Sequence, residues 1–142
     1  MPEDIIDLWA NGLPKADVLH IVSLHGQKTT GLSEFSYYPF RSADAAGTKP
    51  TFERWVNDRY DRRFVVHGFP TVDGRGVPRE VLDAAERRVL DCLERGHATV
   101  VIDSAGAERT ARVCEAIGYK RLLQDRATQA NNRMGTGSGP DI

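Results

Sequence analysis

Apolar residues in this chain fall into two patterns, short continuous runs and helically spaced stripes, which is how strands interleaved with helices read. Asp4 to Ala10 predicts a short first helix, capped by Asp4 and stopped by Asn11-Gly12. Ala16 to Leu24 (Ala-Asp-Val-Leu-His-Ile-Val-Ser-Leu) is rich in β-branched residues and predicts a buried strand. The polar run His25 to Leu32, with Gly26 and Gly31, predicts a loop. Phe35 to Phe40 follows as an aromatic strand that Pro39 pushes towards a sheet edge, and Ser42 to Pro50 is loop again.

Thr51 to Arg63 sets Phe52, Trp55, Val56 and Tyr60 on one face of a helix, and the charged residues between them make that stripe a core face rather than a stacking platform. Phe64 to His67 is a short strand. Gly68 to Pro78 carries three glycines and two prolines and predicts a shaped loop. Val81, Ala85, Val89 and Leu93 then mark a helix over Arg79 to Arg95, with Pro78 at its start and Gly96 just past its end. Ala98 to Ile102 is a continuous apolar run, the pattern of a central strand buried on both faces. A helix from Ala111 to Ile117, ended by Gly118, closes the ordered part. The predicted architecture is α/β, a central, largely parallel sheet flanked by helices, in one domain over residues 1–126. Residues 127–142, with Asn131-Asn132 and Gly135-Thr136-Gly137-Ser138-Gly139-Pro140, predict a disordered tail.

Composition changes this picture little. The 142 residues carry 19 Lys plus Arg against 20 Asp plus Glu, a formal net charge of -1, so no chain-wide positive field points to nucleic acid or an anionic membrane. No apolar run approaches the ~20 residues of a spanning helix, and the start Met1-Pro2-Glu3-Asp4 is acidic, which predicts a cytoplasmic protein without membrane insertion. Oligomeric state leaves no mark in the sequence.

Cys92 and Cys114 form no Cys-x-x-Cys pair and read as small core residues. His20, His25 and His97 show no metal-ligand spacing with each other or with cysteine, so neither a metal site nor a cofactor is expected. His67 reads as a polar residue at a strand end. Arg112, one turn after Arg109, reads as a surface residue at the edge of any site that Arg109 builds.

The chemistry concentrates in Asp103-Ser104-Ala105-Gly106-Ala107-Glu108-Arg109-Thr110, between the Ala98–Ile102 strand and the next helix. A tight loop there turns successive N–H groups into one concavity at a helix N-terminus, which favours an anion. Gly106 permits the turn, and Arg109 offers a planar fork to the same anion.

With this spacing the segment resembles the protein tyrosine phosphatase superfamily, in particular the compact dual-specificity phosphatases. Their signature is His-Cys-x-x-Gly-x-x-Arg-Ser/Thr between a buried strand and a helix. Gly106, Arg109 and Thr110 occupy the family's positions, while Ile102 stands for its His and Asp103 for its nucleophilic Cys. Asp73, in Phe69-Pro70-Thr71-Val72-Asp73-Gly74, stands in the register of the family's general-acid loop, and Val18 to Leu24 resembles its early strand.

The resemblance implies a phosphate cradle made by Ser104, Ala105, Gly106, Ala107, Glu108 and Arg109, with Asp73 as acid and Thr110 as the hydroxyl that assists the nucleophile. The nucleophile is what has changed. A carboxylate is a weaker nucleophile than a thiolate, and an aspartyl phosphate of the haloacid-dehalogenase type needs a second aspartate where Ala105 stands. The family histidine, which orients the loop and lowers the thiol pKa, is lost together with the thiol. These substitutions imply a pseudophosphatase that acts by binding a phosphorylated ligand or a protein partner. Two alternatives are a slow phosphomonoester hydrolase using Asp103 or water with Asp73 as acid, and an α/β interaction module in which Asp103 only caps the following helix.

Overall fold

A computed structural model describes residues 11–12, 18–42, 47–60, 63–103 and 108–118. The helix predicted over Asp4 to Ala10, the cradle residues Ser104 to Ala107 and the predicted tail lie outside the described residues. Residues 11 and 12 are themselves helical.

The fold is α/β. Strands β1 (Val18–Ser23), β2 (Arg63–Gly68) and β3 (Ala98–Ile102) form a parallel sheet in the order β2-β1-β3. Helix α1 (Phe52–Arg59) lies between β1 and β2 in sequence, and α2 (Arg79–Glu94) between β2 and β3. Residues 108–118 form a further helix, α3. No helix among the described residues is long and apolar enough to cross a membrane.

The position of β3 corrects the sequence expectation. The central strand is β1, and β3 pairs with it alone among the described strands. A continuous apolar run reports burial of both faces, which flanking helices can give an edge strand as readily as a middle one.

Alternation along β1 feeds two cores. Leu19 and Ile21 pack with Phe35, Phe40, Phe52 and Phe64 on one side, while Val22 and Leu24 meet Leu82, Ala85, Val89, Val113 and Ile117 on the other. Leu19, Ile21, Val22 and Leu24 are fully buried, and each such side chain contributes roughly 1.5–3 kcal/mol. Trp55 and Tyr60 pack against the first core, so the aromatic face of α1 is structural, as its stripe predicts.

Two elements differ from expectation. Phe35 to Phe40 is no strand: Glu34–Tyr37 is a 3-10 helix whose Ser33 hydroxyl accepts the Phe35 N–H at 3.2 Å, and Phe35 and Phe40 fill the core from a loop. On α2 the buried stripe is Leu82, Ala85, Val89 and Cys92, and Leu93 is exposed. A strict four-residue repeat drifts around a 3.6-residue helix, whereas alternating steps of three and four hold one face.

Turn chemistry fixes the ends of the helices. Thr51 caps α1 by accepting the Arg54 N–H at 3.2 Å. After α2, Gly96 adopts φ 72°, its N–H donates to the Leu93 carbonyl at 3.0 Å, and the His97 N–H donates to the Cys92 carbonyl at 2.9 Å. That pair of bonds is a Schellman motif, and the positive φ favours glycine.

Candidate functional site

The carboxyl ends of β1, β2 and β3 lead into the segments that carry Leu24 to Gly26, Thr71 to Asp73, and Asp103. In open parallel sheets this edge is where ligands bind. A cavity of about 690 Å³ opens here, lined among the described residues by Asp73, Arg75, Asp103, Glu108, Arg109 and Arg112, with the Gly74 and Gly76–Val77 backbone between them.

Asp103, one residue past β3, is 1% exposed. Its Oδ2 accepts the Thr110 N–H at 2.9 Å. A buried carboxylate that accepts a backbone N–H makes a strong, charge-assisted bond, which ties the end of β3 to α3. The Thr110 hydroxyl is buried without a hydrogen-bond partner among the described residues, and so does not bond Asp103. Ile102 is buried in the first core.

Arg109 turns inward from α3 and is 5% exposed. Its Nη1 donates to Glu34 Oε1 at 2.6 Å and its Nη2 to Glu34 Oε2 at 2.8 Å, a two-pronged buried ion pair. Nη1 also reaches Thr71 Oγ1 at 3.0 Å and the Leu24 carbonyl at 3.3 Å. The Glu34 hydrogen bond is the main cause that raises the guanidinium pKa above its ordinary value; burial opposes it, and the charges of Glu34, Asp103 and Asp73 add to it.

Asp73 stands at the rim, its side chain 48% exposed and its Oδ1 3.4 Å from Arg109 Nη2. That separation is long for a charge-assisted bond, so Asp73 is a loose partner beside a tight one. The backbone holds it in place: the Asp73 N–H donates to the Gln27 carbonyl at 2.7 Å, and the Arg75 N–H donates to the Val72 carbonyl at 3.2 Å across a turn in which Gly74 takes φ 78°.

The structure therefore brings Asp103, Arg109 and Asp73 to one cavity, with Glu108 and Arg112 on its lining. His67 is not at this site; it lies within β2 and pairs with His20 at 2.9 Å. Sequence reasoning missed Glu34, Thr71 and Gly26. The Gly26 N–H donates to Glu34 Oε1 at 3.0 Å, and a Cβ on Gly26 would stand 2.0 Å from the Thr71 carbonyl oxygen. No local spacing signals Glu34, because its partner Arg109 is 75 residues away.

Close to the site, His25 lies 2.9 Å from the Ser23 hydroxyl and packs on Phe35. Burial lowers its pKa to about 4, against an opposing pull from the Glu34 carboxylate. The cavity carboxylates form no metal-ligand cluster among the described residues. The side chains close enough to share an ion are instead His20, His67 and Cys92, a grouping that the spacing of histidines and cysteines along the chain does not signal.

No family model matches the chain, and no curated protein or solved structure matches it significantly.

Proposed function

We propose that this chain is a phosphatase-like protein without a working nucleophile, which acts in the cytoplasm by binding a protein partner. The supporting observation is that Asp103 and Arg109, the two charged groups at the heart of the cavity, are both engaged from within. Asp103 accepts the Thr110 amide and Glu34 holds both prongs of Arg109. A phosphate entering at about 4 Å from the Asp103 carboxylate meets about 4 kcal/mol of repulsion at an effective dielectric near 20. In the phosphatase mechanism the loop amides and the arginine stabilise the equatorial oxygens while a thiolate attacks phosphorus. Here the nucleophile position carries a carboxylate committed to holding the Thr110 amide.

A second reading, an α/β interaction module with no phosphate role, is favoured by the same Asp103–Thr110 bond, since holding that amide is a structural role that needs no ligand.

The test is p-nitrophenyl phosphate turnover by the full chain beside Asp103→Cys and the double variant Ile102→His, Asp103→Cys. The single variant is needed because Ile102 is buried in the core, where an imidazole without a partner costs on the order of 1–3 kcal/mol. Activity only in cysteine-bearing variants is the expected result. Turnover by the unmodified chain overturns the proposal in favour of a slow hydrolase working through Asp103 or water. Silence from a folded Asp103→Cys variant overturns it in favour of the interaction module.

A further inference from the structure

The parallel register gathers side chains that lie far apart in sequence. His20 on β1 faces the same side of the sheet as Val22, the residue paired with His67 on β2. His97 precedes β3, and the Schellman bond from its N–H to the Cys92 carbonyl (2.9 Å) ties it to the last turns of α2. Three imidazoles and one thiol thus meet between the sheet and α2.

His20 occupies the centre. Its Nδ1 lies 2.9 Å from His67 Nε2, its Nε2 lies 2.9 Å from His97 Nδ1, and the three rings are nearly parallel. The ligand atoms of His20, His67 and Cys92 all lie within 4.8 Å of one another. His20 and Cys92 are buried and His67 is half-buried. None of these residues lines the Asp103 cavity.

We infer that His20 Nδ1, His67 Nε2 and Cys92 Sγ form a binding site for a divalent transition-metal ion of the zinc class, with His97 as the residue that orients His20. Two imidazole nitrogens and one thiolate are a ligand set suited to zinc, and three protein ligands leave a fourth position for water or another small ligand. Two nitrogens bound at about 2.0–2.1 Å with tetrahedral angles stand about 3.3 Å apart, so the pair at 2.9 Å needs to open by only a few tenths of an ångström.

A metal-ligating histidine needs its other N–H held by an acceptor, which fixes both the tautomer and the ring plane. His97 Nδ1 stands where it can accept from His20 Nε2, leaving the His20 Nδ1 lone pair directed at the ion. Arg88 and Arg95 add positive charge around His20, so the thiolate of Cys92 is the group that offsets the charge of a cation here.

The test is titration of the full chain with Co²⁺, followed by displacement with Zn²⁺. The expected result is one equivalent bound, with a thiolate-to-cobalt charge-transfer band and the strong visible absorption of a tetrahedral ion, both lost on adding Zn²⁺. Cys92→Ser should abolish the charge-transfer band and Cys114→Ser should leave it unchanged. His67→Gln, at a half-buried position that tolerates change, should weaken Co²⁺ binding by more than tenfold, and His97→Ala by about 10–100-fold. Should Cys92→Ser fail to fold, His67→Gln decides alone. The site is refuted by absence of the charge-transfer band, by a band that depends on Cys114, or by unchanged affinity in His67→Gln.

Discussion

Glu34 closes both carboxylate oxygens onto the two terminal nitrogens of Arg109, at 2.6 and 2.8 Å, in a setting where both side chains are almost wholly buried. The pair joins the 3-10 helix to α3, and through Thr71 and Leu24 it also binds the ends of β1 and β2. Two buried charges hold each other here, and breaking such a pair costs more than the pair itself is worth.

Removing Arg109 takes away the cation that holds the Glu34 carboxylate, whereas removing Glu34 leaves Arg109 its looser contact with Asp73. Arg109→Met should lower unfolding free energy by about 3–5 kcal/mol, and Glu34→Gln by less. The double variant should lose clearly less than the sum, because neither charge is then left uncompensated. Chemical denaturation of the four proteins measures this directly, and strictly additive losses would show that the two side chains act independently.

Gly26 is the narrowest place in the same network. A Cβ there would stand 2.0 Å from the Thr71 oxygen and 2.7 Å from its nitrogen, both backbone atoms that cannot swing aside. The Gln27 N–H to Thr71 carbonyl bond, at 3.0 Å, shows how closely the two segments run. Gly26→Ala should cost more than the 1–3 kcal/mol usual for overpacking and should loosen Asp73, whose N–H is held by the Gln27 carbonyl. Thermal unfolding reads the first effect, and hydrogen exchange at the Asp73 amide reads the second.

Local chemistry made the frame legible. The β-branched run of β1, Pro78 and Gly96 at the two ends of α2, and the apolar run of β3 depend on neighbours in sequence, and each element lies where those signals put it. Phe35 to Phe40 has the pattern of a strand without forming one, because its aromatic residues serve a core reached by a loop, and burial overrides strand propensity. The cavity residues Asp103 and Arg109 are accessible through their spacing around a strand-loop-helix, and Asp73 only through the resemblance. Glu34 and the His20, His67, His97 group are not, because each depends on a register between distant segments that no local spacing encodes.

His25 predicts a pH dependence with a definite sign. Burial holds its folded pKa near 4, below the ordinary value of 6.5, so between these limits the unfolded chain binds the extra proton. The contribution of neutral His25 is complete above pH 6.5 and is lost as pH falls towards about 4, amounting to about 3 kcal/mol in all. Glu34 and Asp103 favour its protonated form and Arg109 opposes it. Denaturation across this range should show stability rising with pH, and His25→Gln should flatten the slope by that amount whatever it does to absolute stability. An unchanged slope would assign the effect to other groups.

Asp103 separates the binding reading from a merely structural one. Its carboxylate accepts the Thr110 amide in a buried setting, so Asp103→Ser, which keeps a shorter acceptor, should cost about 1–3 kcal/mol. The same change removes a negative charge from the cavity lining and leaves Arg75, Arg109 and Arg112 in place. If the carboxylate is what repels phosphate, inorganic phosphate should bind the variant more tightly, by up to about three decades for the full 4 kcal/mol. Calorimetric titration of both proteins measures this. Tighter binding by the unmodified chain would mean that Asp103 does not oppose phosphate, and the explanation of lost function through charge would fail.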